Sequence, residues 1–197
     1  MLGKVIIIAR KKEIINMNSD FLRKLISELA HELNKKSKKT PVEHDLYIVG
    51  GAALVLGYNL RLATSDMDAV WSNQDYFRKC INKVAKRNKL EIGWCNMDVV
   101  LSESYTPAVT DEINCTLMMK QGSLNVWVIN LWLALCMKLI AFRERDRSDI
   151  KLITDELKRN NIVNKDTIMA AFDDFYTKYN KNITLSEAAM IYINSLV

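Results

Sequence analysis

Two aspartates, Asp66 and Asp68, are separated by a single methionine in the segment TSDMDAVW. On a strand, side chains at i and i+2 share a face, so the two carboxylates project together while Met67 and Ala69 point the other way. Neighbouring carboxylates repel, and one tends to take up a proton unless a cation lies between them. A divalent ion resolves that conflict. Two ions about 3.5 to 4 Å apart are also the arrangement that clamps the attacking and leaving oxygens in phosphoryl transfer. The D-x-D therefore points to Mg²⁺ on Asp66 and Asp68, with a two-metal site as its fullest form; the plain alternative is an exposed strand end.

Upstream, Gly50 and Gly51 stand between a strand-like run and a helix-like run in YIVGGAALVLG. Missing side chains there let backbone N–H groups approach a phosphate, with the helix dipole in support. A simple tight turn accounts for the same pair. The segment contains neither G-x-x-x-x-G-K-[ST] nor G-x-G-x-x-G, which argues against a P-loop and against a dinucleotide fold.

The elements that must position these residues follow from periodicity. NSD caps a first helix with Leu22, Leu25, Ile26, Leu29 and Leu33 at helical spacing. NKKSKKTP, residues 34–41, is a charged loop. DLYIVG is a buried strand, GAALVLGYNL a short helix behind it, and MDAVW the next strand. SNQDYFRKCINKVAKRNKL is an amphipathic helix with Tyr76, Phe77, Cys80, Ile81 and Val84 on its core side. NMDVVL predicts a third strand, the polar stretch 102–114 around Pro107 a connection, and LNVWVIN another strand. From Leu131 the chain is helical, interrupted near RERDRSD and again at KRNNIVNKD.

Composition narrows the class. The chain has 197 residues, 49% hydrophobic and 26% charged, with a formal net charge of +5. That is globular composition with enough length for a core, and it favours an anionic partner. Four singly spaced cysteines and two histidines indicate neither a zinc site nor a disulfide framework, and a reducing cytoplasm fits them. The apolar run Val5 to Ala9 is short for a signal-peptide core, so secretion is not expected. Leu124 to Phe142 is apolar over a membrane-like length, but Asn125, Asn130 and Lys138 interrupt it, and no membrane span is expected.

GGAALVLGYNLRLATSDMDAVW resembles the signature of the nucleotidyltransferase superfamily with a DNA polymerase beta type of palm, in which a Gly-Gly or Gly-Ser pair precedes a strand bearing D-x-D. Arg61 before TSDMD, together with LCMKLIAFRERDRSDIKLI as a K-x-x-A-x-R-x-R-D-x-x-D pattern, resembles the AbiEii-type toxin branch and related uncharacterised bacterial nucleotidyltransferase-like proteins. The resemblance spans roughly residues 47–153. It implies that Gly50, Gly51 and Ser65 cradle a triphosphate, that Asp66 and Asp68 hold magnesium, and that Lys138 neutralises phosphate charge, a snorkelling lysine being the alternative. Arg145 joins the nucleotide-binding candidates. Arg61 is structural or phosphate-facing.

The resemblance also implies a third catalytic acid, and leaves it open between Asp98, whose apolar-acid-apolar segment is similar to one in many members and which would complete the metal site and activate the attacking hydroxyl, and Asp149, which would orient the acceptor or act as base. Eleven residues of continuous helix span about 16 Å, so Lys138 and Asp149 meet only if the helix bends or ends between them. Asp146 is expected to pair with a neighbouring arginine.

The expected fold is α+β in one unit, with an N-terminal helical segment (1–40), a sheet-bearing core (41–130) and a helical C-terminal part (131–197) closing a cleft. The implied activity is Mg²⁺-dependent transfer of a nucleoside monophosphate from an NTP to an acceptor hydroxyl on tRNA or protein, in a toxin–antitoxin or phage-defence setting. The rival is a non-catalytic module of the same fold that binds nucleotide, RNA or a partner. An N-terminal helix that pairs with an antitoxin, or with itself, is compatible with either.

Overall fold

The computed structural model describes residues 15–35, 42–72, 74–159, 162–179 and 181–197. The Val5 to Ala9 run and nearly all of the 34–41 loop lie outside the described residues.

The fold is α+β. A short strand β1 (Met17–Asn18) pairs antiparallel with β3 (Ala63–Thr64). Among the described residues the remaining strands form a five-stranded mixed sheet: β2 (His44–Ile48), β4 (Met67–Trp71), β5 (Cys95–Asn96), β6 (Cys115–Gln121) and β7 (Leu124–Ile129), in the order β5-β4-β2-β7-β6. The β2/β7 and β4/β5 pairs are parallel; β2/β4 and β6/β7 are antiparallel.

Register decides which side chains share a face. Ile48 lies opposite Ala69 and Leu46 opposite Trp71, so these residues and Met67 point to one side of the sheet. There α1 (Ser19–Asn34) packs against α3 (Gln74–Asn88), and Trp71 stacks on Phe77 with ring centroids 5.4 Å apart. The α1 N-cap is Asn18, whose side chain accepts the Phe21 N–H, and the helix buries Leu22, Leu25, Ile26, Leu29 and Leu33. Each such side chain contributes about 1.5 to 3 kcal/mol when fully buried. Asp68, Val70, Tyr47 and Trp127 point to the opposite side, where Tyr47 and Trp127 stack across β2 and β7.

The helix α2 (Gly50–Leu56) leaves β2 directly. Beyond the sheet come α4 (Leu131–Ala141), α5 (Asp146–Lys158), α6 (Lys165–Phe175) and α7 (Glu187–Leu196). Asn130 caps α4, and Phe142 ends it in a left-handed conformation with φ 34°. Buried Tyr176, just after α6, donates its hydroxyl to the Ser104 carbonyl at 2.7 Å, which ties the C-terminal helices to the stretch after β5. The apolar residues of Leu124 to Phe142 are divided between β7 and α4, and among the described residues no helix is long and apolar enough to cross a membrane.

One expected strand needs correction, and one strand was not expected. NMDVVL is not a strand: β5 stops at Asn96, and Asp98 to Leu101 form a 3₁₀ turn. The Asn96 side-chain oxygen accepts the Asp98 N–H at 2.8 Å, a local turn that draws the chain off the ladder. The segment CTLMMKQ, which has no strand pattern of its own, is β6. It is an edge strand without a fully buried side chain, so it lacks the strong apolar signal of a core strand.

Candidate active site

Asp66 stands just before β4 and is exposed; Asp68 is on the strand and half-buried. Buried Thr64 places its hydroxyl 3.0 Å from the Asp66 carbonyl and 3.5 Å from Asp66 Oδ1, which fixes the approach to the strand. Asp68 is in register with Asn96 of β5, and its carbonyl accepts the Val49 N–H at 3.0 Å. Gly50 adopts φ +61°, and a Cβ there would sit 3.2 Å from Asp68 Oδ2. The turn therefore needs glycine twice over, for its backbone and for space beside the carboxylate.

The Asp68 carboxyl is held above the ordinary carboxylate range. Burial is the main cause, and the charges of Asp66 and Asp98 add to it, while a hydrogen bond from Asn96 and the charge of Lys138 oppose it. Behind it, burial and the Asp68 charge push the Cys95 thiol up, so that cysteine is inert at neutral pH.

A second group of charges lies beside the first. The break at Phe142 turns α5 back along α4, and Lys138 Nζ reaches both Asp146 Oδ1 at 2.6 Å and Asp149 Oδ2 at 2.8 Å. The helix thus ends between Lys138 and Asp149, as their spacing requires. Both aspartates are buried. Arg61 extends the group, with Nη1 3.4 Å from Asp149 Oδ2. Gly51 makes room for it: a Cβ at that position would lie 2.7 Å from Arg61 Nη1 and 3.0 Å from Thr64 Oγ1. Among the described residues Asp146 does not pair with an arginine side chain. Its partners are Lys138 and the backbone N–H of Arg143, at 3.2 Å, because the turn after Phe142 presents that amide to the first residue of α5.

These residues line two adjoining cavities. One, of about 210 Å³, is polar and bounded by Gly50, Gly51, Arg61, Ser65, Arg143 and Arg145. The other, of about 240 Å³, runs from Asp98 and Asn96 past Ser102 and Ser104 to an apolar wall that includes Leu54 and Met137. Gly50, Asp66, Asp68, Lys138, Arg143, Arg145 and Asp146 border both. The fold thus assembles around one cleft all the candidate residues: Gly50, Gly51, Arg61, Ser65, Asp66, Asp68, Asp98, Lys138, Arg145 and Asp149. Asn96, Thr64 and the two serines were not picked out from sequence. Asn96 is a lone amide in CNMD, and only strand pairing sets it beside Asp68.

Whether a divalent ion suits this rim is a question of donors. Asp66 and Asp68 offer hard oxygens on a common edge, and the Asp68 carboxyl is raised chiefly by its burial, with the charges of Asp66 and Asp98 adding to it. The residues fit Mg²⁺. Among the described residues no three His, Cys, Asp or Glu side chains come together closely enough to hold one ion, so the protein would supply two carboxylates and leave the other positions to substrate and water.

No curated protein and no solved structure matches the chain. Residues 20–160, which carry the sheet, both charge groups and the two cavities, match the family described as nucleotidyltransferase of unknown function (DUF6036). The chain belongs to that family of nucleotidyltransferases, whose function is not established.

Proposed function

We propose that the protein transfers a nucleoside monophosphate from an NTP to an acceptor hydroxyl, with magnesium held by Asp66 and Asp68. The observation that carries this reading is the pair of cavities meeting at those two aspartates, one polar and bounded by Gly51, Arg61 and Ser65, the other partly apolar, with Lys138, Arg143 and Arg145 on the wall they share. A triphosphate suits the first and a nucleoside the second, which brings the α-phosphorus to the shared rim. The acceptor oxygen forms a bond to that phosphorus, the bond from the α-phosphorus to the bridging oxygen breaks, and pyrophosphate leaves with the electron pair. When bound, the metal would neutralise charge on the phosphate oxygens.

The chain's own residues do the remaining work. Gly50 and Gly51 keep the wall of the polar cavity bare, and Ser65 offers a hydroxyl at its mouth. Asp98 receives the acceptor proton: it is exposed, borders the nucleoside cavity and adds its charge to the field at Asp68. Asp149 is a poorer base, because Lys138 and Arg61 already hold its carboxylate. The positive charge that the phosphates require comes from the α4–α5 region.

The resemblance to the AbiEii branch extends the proposal to a tRNA or protein acceptor, and to a toxin–antitoxin or phage-defence role with an antitoxin partner. The deciding experiment incubates the protein with Mg²⁺ and each α-labelled NTP, with and without total tRNA and a cell lysate, beside Asp68→Ala. Label on RNA or protein with the wild type alone is the expected result and names the acceptor class. If NTP binds and no label moves, the non-catalytic binding module is the correct reading.

A further inference from the structure

Lys138 is the cation that the motif resemblance assigns to phosphate, yet it is the most fully committed cation in the cleft. Its side chain is only 16% exposed and lies between two carboxylates that are 4% exposed each. Swinging it toward a ligand would strip the closest cation from both buried aspartates, an arrangement that proteins resist strongly. Arg61 is held in the same group by Asp149.

Counting charges around the polar cavity isolates what is left. Its wall carries Arg61, Lys138, Arg143 and Arg145 against Asp66, Asp68, Asp146 and Asp149. Lys138 and Arg61 are matched to Asp146 and Asp149, which leaves the Asp66/Asp68 pair facing Arg143 and Arg145. Both arginines are exposed, and among the described residues neither guanidinium has an ion pair or hydrogen bond. Arg147, the next arginine of the turn, is different: it pairs with Glu144 at 3.4 Å, lies over the Phe142 ring and does not border the cavity.

We propose that Arg143 and Arg145 form the clamp for the β- and γ-phosphates, and that Lys138 is a positioning residue that sets the turn bearing them. The proposal rests on the NTP reading above. Guanidinium groups suit the task, because their planar donors engage phosphate oxygens in pairs and stay charged at any working pH. Lys138 acts through geometry: by drawing Asp146 and Asp149 to α4 it fixes the start of α5, and the Asp146 carboxylate in turn accepts the Arg143 backbone N–H. Alanine at 143 keeps that backbone bond, so the guanidinium can be removed without disturbing the turn.

The test is calorimetric binding by the full chain, with Mg²⁺, of a non-hydrolysable NTP, the matching NMP and inorganic tripolyphosphate. Arg143→Ala and Arg145→Ala should each weaken the NTP and tripolyphosphate about tenfold or more and leave the NMP within about threefold. Lys138→Arg, which still bridges two carboxylates, should keep NTP affinity within about threefold, whereas Lys138→Met should lower the melting temperature. Wild-type affinity for tripolyphosphate in the Arg143→Ala/Arg145→Ala double variant overturns the clamp while the NTP reading stands. Loss of triphosphate binding in Lys138→Arg at an unchanged melting temperature returns the phosphate role to Lys138. If the wild type binds neither NTP nor tripolyphosphate, both the clamp and the NTP reading fail.

Discussion

Glu32 on α1 and Asp68 on β4 are both acids drawn away from water, and they have opposite surroundings. Glu32 is buried and met by cations at three points, Lys35 and Arg87 at 2.6 Å each and Lys83 at 3.6 Å. Hydrogen bonds from Lys35 and Arg87 hold its carboxyl down to about 2, against the opposing effect of burial. Asp68 is surrounded by burial, Asp66 and Asp98, with only Asn96 and Lys138 in opposition, and its carboxyl is pushed up. The first acid joins α1 to α3 on the far side of the sheet from the cleft and is satisfied within the fold. The second is raised chiefly by burial, with two like charges beside it and only Asn96 and Lys138 against it, the kind of perturbation that clusters at functional sites.

The strongest way to break this comparison is to neutralise each acid and measure both activity and stability. Asp68→Asn should reduce nucleotide transfer about 10³-fold, with a melting temperature equal to or above that of the wild type, because the substitution removes repulsion. Equal activity in this variant would sink the site assignment. Glu32→Ala should do the reverse, leaving transfer rates near wild type and costing about 1 to 2 kcal/mol in a denaturant titration.

The glycines test the packing behind the contrast. Gly51→Ala puts a methyl group against the Arg61 guanidinium and Thr64, and should cost about 1 to 3 kcal/mol while weakening the Arg61 hold on Asp149. Chemical denaturation of this variant, alone and combined with Asp149→Asn, should give costs that fail to add, because both changes disturb the same contact.

The smallest effect is on pH dependence, and its sign differs between the two acids. The depressed Glu32 carboxyl contributes stability that is present above the ordinary glutamate value of 4.5 and lost as the pH falls toward about 2. Glu32→Gln should flatten the melting-temperature curve across that window. For Asp68 the folded protein holds the proton more tightly than the unfolded chain does, so stability falls as the pH rises above the ordinary aspartate value of 3.8. Mg²⁺ should reverse that loss in the wild type and not in Asp68→Asn, as read from melting curves with and without the ion.

Much of the scaffold was readable because local periodicity carries it. The strand at Met67 to Trp71 and the α1 core stripe follow from alternation and from helical spacing. So does the end of α4, since Lys138 and Asp149 cannot share one straight helix and still meet. The strand β6 was not readable, because an edge strand with half-exposed side chains lacks a strong apolar pattern. Nor was the turn at Asp98, where one Asn96 side chain outweighs a strand-like composition.

By itself, then, the sequence determined the α+β class, the glycine turn, and the set of acidic and basic residues that line the cleft, because these depend on residue type and short-range spacing. Only the tertiary structure decided which charges cancel one another. Along the chain the motif points to Lys138 as the phosphate cation, and leaves Asp98 and Asp149 as rivals for one role. The fold of α5 against α4 commits Lys138 to two buried carboxylates and leaves the two arginines facing the cleft, since electrostatic pairing is set by distances through space that no spacing along the chain contains.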